Sequence, residues 1–219
     1  MPASATGRAR RAEPGREGLM ATAIDCFARY GYAGTSIDRI ARAAGVTKGA
    51  LYYHFTDKEE LLFEAVKERI GAWEKFVVER VAGLDDPAEA LREIARLCAQ
   101  NALRDNHRRF VLTLMVEALD VNAALSDEFR DMLRRFRSFH RHLLRTGQER
   151  GVFRDDVDPA VAAESFVGGI LGAEIQHYQE PDAIDIARLL ESHVDQFLAW
   201  ISLPRARRRA SGGKTDVRS

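Results

Sequence analysis

The sequence predicts an all-α fold, an N-terminal helix-turn-helix domain of three helices followed by a larger helical domain, about nine helices in total. Three observations predict it. Apolar residues recur at helical spacing through nearly every segment. Glycine, proline and side-chain caps punctuate those segments where helices should start and stop. Sustained strand alternation is absent from the sequence.

The first helix is expected from about Glu17 to Tyr30, with Leu19, Ala23, Ile24 and Phe27 inward and Gly31 as its stop. A short helix follows, with Thr35 as N-cap and Asp38 three residues on in a capping box. Its residues Ile37, Ile40, Ala41 and Ala44 share a face, and Gly45 ends it within one turn. Val46 then plugs inward and Thr47 caps another short helix running through Tyr53. Two short helices joined by so tight a turn make a helix-turn-helix, whose second helix enters the major groove of DNA.

That second helix has the chemistry for the role. Thr47, Lys48, Gly49, Tyr52, Tyr53 and His54 place hydroxyls, a cation and aromatic rings within about one and a half turns. A core helix would not carry Lys48 and His54, and a merely solvated one would not carry paired tyrosines with Gly49. Glycine costs about 1 kcal/mol of helix propensity against alanine, a cost that close backbone approach to DNA would offset.

From about Arg16 to Leu62 the pattern resembles the DNA-binding domain of the TetR family of bacterial transcriptional regulators. The residues that carry it are Ala23, Phe27, Gly31, Tyr32, Thr35, Ile40, Ala41, Gly45, Val46, Leu51, Tyr52, His54, Phe55, Lys58 and Leu61. The resemblance implies double-stranded DNA with a palindromic operator as the partner, a homodimer, and an unknown small-molecule effector. By it, Thr47, Lys48, Gly49 and Tyr53 would approach bases and nearby phosphates, while Thr35, Ser36, Tyr52, His54 and Lys58 would anchor phosphates. Beyond Leu62 the likeness is one of length and helical character.

Thr56 and Glu59 suggest a further capping box opening a long helix from about Asp57 to Val81. Pro87 suits the first turn of a helix from about Ala88 to Leu103. Apolar residues continue from Arg108 to Leu119, and a long amphipathic helix is expected from Ser126 to Arg150, stopped by Gly151. Asp158 and Pro159 open the next, to about Tyr178, and Pro181 with Asp182 opens the last, to about Leu203. The domains expected are a basic disordered arm (1–14), the helix-turn-helix domain (15–60), an effector-binding and dimerisation domain (61–203) and a basic disordered tail (204–219).

Small residues Ala162, Ala163, Gly168, Gly169, Gly172 and Ala173 allow another helix to approach closely. The final helix has an apolar face wider than one core contact needs. In the family resembled, the last two helices form a four-helix bundle across a two-fold axis. That implies that Gly168, Gly172, Ile175, Leu190, Val194, Phe197 and Ile201 lie at or near a two-fold interface, on a face that serves the core and a second subunit together. The middle helices of the family enclose a ligand cavity, for which the candidate walls here are Trp73, Phe76, Phe110, Met115, Phe136, Phe139 and Phe166. Asn101, Glu117, His140, Gln176 and His177 interrupt apolar faces, and such polar groups need a partner that a ligand could supply. Arg130, Arg134, Arg137, Arg141 and Arg145 form a stripe that reads either as a salt-bridged solvated face or as a site of anion capture at a pocket mouth.

Net charge is zero, with 33 basic and 33 acidic residues, yet the basic residues crowd both ends and residues 151–204 are acidic. No run of about 18 apolar residues suggests a membrane span, and a cytoplasmic location with reduced thiols at Cys26 and Cys98 is expected. Enzyme readings find no support: the six histidines show no zinc-hydrolase spacing, and no phosphate loop or nucleophile elbow occurs. No cofactor is expected. The alternative reading is a ligand-independent DNA-binding protein acting through partners or DNA architecture.

Overall fold

The computed structural model describes residues 14–104, 106–118 and 123–203; the basic arm before Pro14 and the tail from residue 204 lie outside the described residues. Two compact units divide the chain between Glu68 and Arg69, inside a continuous helix, eight residues beyond the expected boundary after residue 60.

The first unit contains α1 (Arg16–Gly34), α2 (Ile37–Ala44), α3 (Lys48–His54) and the start of α4 (Lys58–Val81). Leu19, Ala23, Ile24 and Phe27 of α1 are buried, as are Ile40, Ala41 and Leu51. Gly31 breaks the helical path with φ 71°, a left-handed value that favours glycine, and a last turn continues to Gly34. Gly45 is also left-handed at φ 72°, and the amides of Gly45 and Val46 return to the carbonyls of Arg42 and Ala41, closing α2.

Two caps fall one residue later than the sequence suggests. Ser36, not Thr35, caps α2, its Oγ accepting from the Arg39 amide at 3.2 Å. Thr35 instead turns inward, only 1% exposed, and donates its hydroxyl to the carbonyls of Cys26 (3.1 Å) and Gly31 (2.8 Å). It ties the start of α2 to the kinked end of α1. At α4, Asp57 Oδ1 accepts from the Glu60 amide at 2.8 Å, while Glu60 returns to the Thr56 amide at 2.6 Å.

The second unit holds the rest of α4 with α5 (Pro87–Arg104), α6 (Asn106–Glu117), α7 (Ala123–Glu149), α8 (Pro159–Gln179) and α9 (Ile186–Ile201). Its core joins Leu91, Ile94 and Leu97 of α5 to Phe166 and Ile170 of α8 and to α9. Pro87 and Pro159 stand at N1 as expected, behind the caps Asp86 and Asp158. The last helix begins later than Pro181 suggests. Residues 180–184 form turns on the Glu180 carbonyl, and Asp185 caps α9 by accepting from the amides of Ala187 and Arg188.

Leu190, Val194, Phe197 and Ile201 are all under 5% exposed within the single chain. The wide apolar face of α9 therefore serves the subunit core, so these four residues lie beneath the surface, while the other side of the helix stays exposed, Trp200 to 42%. Among the described residues, Phe153 and Ser202 form one isolated bridge, with Phe153 seated against the bare backbone of Gly147.

A buried ion pair crosses this unit. Arg108 of α6 donates through Nε and Nη2 to both carboxylate oxygens of Glu174 in α8, at 2.9 Å for the Nε contact. Burial opposes the charge on Arg108, but Glu174 more than offsets it and raises the guanidinium pKa. Breaking such a pair strands the remaining charge, at about 3–5 kcal/mol. Glu174→Gln is expected to lower unfolding stability by that order in urea titration, and Arg108→Met with Glu174→Leu together to recover most of it. A loss under about 1 kcal/mol from the single change would refute the account.

Candidate nucleic-acid interface and ligand cavity

The second helix of the motif, α3, starts where Thr47 Oγ1 accepts from the Ala50 amide at 3.2 Å. Lys48, Gly49, Tyr52 and Tyr53 are exposed on it, Tyr53 to 85%, an unusual exposure for an aromatic ring. His54 meets Tyr53 edge-on at 4.9 Å between centroids. A Cβ at Gly49 would meet nothing nearer than Thr47 Oγ1 at 3.8 Å, so fold packing does not demand the glycine. Lys48 Nζ lies 2.9 Å from Asp38 Oδ2 of α2, and hydrogen bonding to that carboxylate raises its pKa. Asp38, expected only in a cap, thus pairs with the cation of this surface.

Two of the phosphate anchors expected from the resemblance have other work here. Thr35 is buried, so its hydroxyl cannot reach solvent-borne phosphate. Lys58 donates to the carbonyls of Tyr32 (3.0 Å) and Thr35 (3.1 Å) and lies 3.9 Å from the Tyr32 ring centroid. It balances the first-turn charge of α4 with carbonyls that end α1, where a phosphate had been expected. Ser36 keeps an exposed position although its Oγ serves as a cap.

The second unit contains a cavity of about 140 Å³. Trp73 and Val77 of α4, Ile94 and Cys98 of α5, Phe136, Phe139 and His140 of α7, and Val167 and Ile170 of α8 supply its apolar lining. Arg108, Glu74 and Arg135 also reach its wall. Arg135 is paired with Glu74 at 3.0 Å and Glu128 at 3.5 Å. A smaller cleft of about 20 Å³ beside it shares Trp73, Arg108 and Phe136 and includes Asn101.

Of the candidate walls, Trp73, Phe136, Phe139 and His140 line the cavity, Asn101 the adjoining cleft, and Phe166 sits fully buried behind His140, ring centroids 5.0 Å apart. The others lie elsewhere. Phe76, Glu117 and Gln176 are exposed, Met115 is half-buried, and Phe110 is packed in α6. His177 is buried as a structural pin, its Nδ1 2.8 Å from the Ile184 carbonyl across the α8–α9 turn. None of the five stripe arginines lines the cavity: Arg130 and Arg134 pair with Asp127 and Asp131 on their own helix, as a solvated face does. The cavity's own ionic groups, Arg108, Arg135 and Glu74, have no local signal in the sequence that assigns them to it.

Residues 19–65 match the family described as bacterial regulatory proteins, tetR family, and residues 87–199 match the C-terminal region of BetI-type transcriptional repressors. The chain belongs to the tetR family. Among similar proteins of that family, the HTH-type transcriptional repressor NicS of Pseudomonas putida is 28% identical over 152 residues, covering 68% of this chain and 71% of NicS. SmeT, the repressor of the Stenotrophomonas maltophilia multidrug efflux pump SmeDEF, superposes with a TM-score of 0.73 at 26% identity, over 88% of this chain and 93% of SmeT. A transcriptional regulator of Saccharomonospora viridis solved in complex with choline superposes with a TM-score of 0.74 at 26% identity, over 86% and 98% of the two chains. This tetR-family protein is a DNA-binding transcriptional repressor and not an enzyme. No helix among the described residues is long and apolar enough to cross a membrane.

Within the tetR-family cavity, burial lowers the pKa of His140 from 6.5 to about 4, against a smaller opposite effect of its bond to the Phe136 carbonyl. The folded chain resists a proton that the unfolded chain accepts. Stability associated with this residue is therefore intact above about pH 6.5, falls between pH 6.5 and about 4, and levels off below, by up to about 3 kcal/mol. The stability difference between the parent and His140→Phe, followed by urea titration across that range, should change by this amount. A difference that stays flat with pH would overturn the assignment.

Proposed function

We propose that the chain acts as a homodimeric repressor in the cytoplasm, that it binds a palindromic operator, and that a small, largely apolar ligand in the cavity releases it. The observation that carries the ligand reading is the apolar chamber of about 140 Å³ walled by Trp73, Phe136 and His140. Helix α4 contributes Trp73 to that chamber and begins four residues after α3 ends. A ligand-driven tilt of α4 would shift α3 and spoil the spacing of two half-sites, about 34–36 Å. Coupling of about 1–3 kcal/mol changes operator affinity roughly 5- to 150-fold. The regulator solved in complex with choline supports a small-molecule site in this fold. The experiment is selection of an operator from random duplexes, then gel-shift titration with apolar compounds. Compounds that bind the protein yet leave operator affinity unchanged would defeat the release mechanism.

On the DNA side, Lys48, Gly49 and Tyr53 are assigned to bases and adjacent phosphates, with Ser36, Thr47, Tyr52 and His54 beside them. Lys48→Ala is expected to weaken operator and random DNA together and reduce the salt slope by about 1. Tyr53→Ala should instead narrow the ratio between operator and random affinity. Asp38→Asn, which frees Lys48 and removes a negative charge, should strengthen binding to random DNA. Unchanged salt dependence in all these variants would exclude α3 from the interface.

The dimer surface is assigned to the outer face of α8 together with the exposed side of α9 that carries Trp200. Gly168 and Gly172 have open space where a Cβ would lie, and Val161 and Ile175 are exposed at 55% and 42%. Gly172→Leu therefore fits the subunit and improves helix propensity, while across a two-fold contact it would force the helices apart, by about 1–3 kcal/mol. The expected result is an unchanged or raised melting temperature with dissociation in sedimentation velocity. A variant dimer as tight as the parent would place the two-fold axis elsewhere.

A further inference from the structure

The chamber in the second unit has one charged group in its wall with donors to spare. The fork onto Glu174 occupies Nε and Nη2 of Arg108, on one edge of the guanidinium. Nη1, at the far corner of that plane, has two further hydrogens, and it makes no hydrogen bond among the described residues. It is not sealed either. Among the described residues, the unpaired side-chain nitrogens and oxygens shut off from all access are His140 Nε2 and Tyr178 Oη. Arg108 is only 9% exposed, and it borders both the chamber and the small cleft beside it. So small a remaining surface, on a residue that walls both spaces, puts the unused Nη1 donors at their junction. The two-pronged contact with Glu174 fixes the plane of the guanidinium and with it the direction of those donors.

What the junction lacks is an acceptor, not a counter-charge. Glu174 already neutralises Arg108, and Arg135 across the chamber is shared by Glu74 and Glu128. A carboxylate entering here would be a further anion beside completed ion pairs, and it would have to leave water to get there. A neutral carbonyl oxygen accepts from Nη1 and disturbs neither pair. The rest of the wall is apolar, with the rings of Trp73, Phe136 and Phe139 facing Val77, Val167 and Ile170. The chamber's volume of about 140 Å³ is close to that of the roughly 150 Å³ apolar cavity that accepts benzene in another protein. The cleft, about 20 Å³, is too small for a ring.

We propose that the chamber takes a neutral molecule of about one aromatic ring bearing a carbonyl group, acetophenone being a simple form, whose oxygen accepts a hydrogen from Arg108 Nη1. The proposal rests on the ligand reading above and specifies its chemistry.

The test is calorimetry on the full chain with acetophenone, α-methylstyrene and benzoate at neutral pH. α-Methylstyrene has the shape of acetophenone with CH₂ in place of the oxygen. Each is titrated into the parent and into Arg108→Met with Glu174→Leu, which removes the donor together with its buried partner. The ratio of acetophenone to α-methylstyrene affinity cancels most of the difference in how the two leave water. That ratio is expected to fall about 10-fold or more in the double variant, the loss of one hydrogen bond to a charged group. Benzoate should bind the parent more weakly than acetophenone. Bound to the parent, acetophenone labelled with carbon-13 at the carbonyl should resonate downfield of its position in cyclohexane, as donation to the oxygen requires. That resonance decides the matter should the double variant fold poorly. A ratio unchanged in a folded double variant, a cyclohexane-like resonance in the parent, benzoate binding as tightly as acetophenone, or no binding of acetophenone would each overturn the proposal. α-Methylstyrene releasing the operator while the carbonyl resonance stays cyclohexane-like would remove the acceptor and leave ligand-controlled repression standing. A carbonyl bonded to Arg108 without operator release would do the reverse.

Discussion

The second unit depends on the meeting of Arg108 and Glu174. A guanidinium and a carboxylate removed from water are tolerable only when each satisfies the other, and here the carboxylate is fully buried while the two-pronged contact fixes its distance and plane. The pair therefore dictates how α6 and α8 approach. It also sets the electrostatics of its neighbours: burial and then the Glu174 charge push the Cys98 thiol up to about 12 and raise Tyr178. With these groups and His140 neutral, the chamber beside them has no unbalanced charge on its wall, and its selectivity falls to shape and to hydrogen bonding.

A second, smaller knot organises the first unit. Thr35 and Lys58 both turn toward the end of α1, one by hydroxyl and one by ammonium, and between them they hold the carbonyls of Cys26, Gly31, Tyr32 and Thr35. Orphan carbonyls at a kinked helix end are thereby given donors. On α3, Lys48 pairs with Asp38 and Tyr53 meets only His54, its ring otherwise exposed. Binding of a phosphate by Lys48 is then an exchange of anions, and half-exposed surface pairs of this kind are weak enough to exchange.

What the sequence made legible was local. Helix signals such as Gly45, Pro87, Asp158 and Pro159 act within a few residues, and each marks a real boundary. The misplaced features have physical reasons. Thr35 and Ser36 are adjacent hydroxyl residues, and only the packing of Thr35 against the end of α1 decides which one caps α2. An apolar stripe on α9 shows that a face is buried but not by what, and here the same chain covers it. The candidate chamber was half legible: Trp73, Phe136 and His140 stand out as aromatic or polar residues on apolar faces. Arg108 and Glu174, 66 positions apart, meet only through the fold.

Cys98 gives the chamber a slow chemical clock. A thiol held near pKa 12 presents almost no thiolate at neutral pH, and its sulfur sits in the wall that a ligand would cover. Alkylating reagents must wait for α5 and its neighbours to part before they meet a reactive form. Their labelling rate combines how often the chamber opens with how reactive the freed sulfur is. Cys26, buried in the first unit with its own pKa raised, keeps separate time there. The two thiols, resolved by peptide mass, thus record the breathing of each unit independently within a single chain.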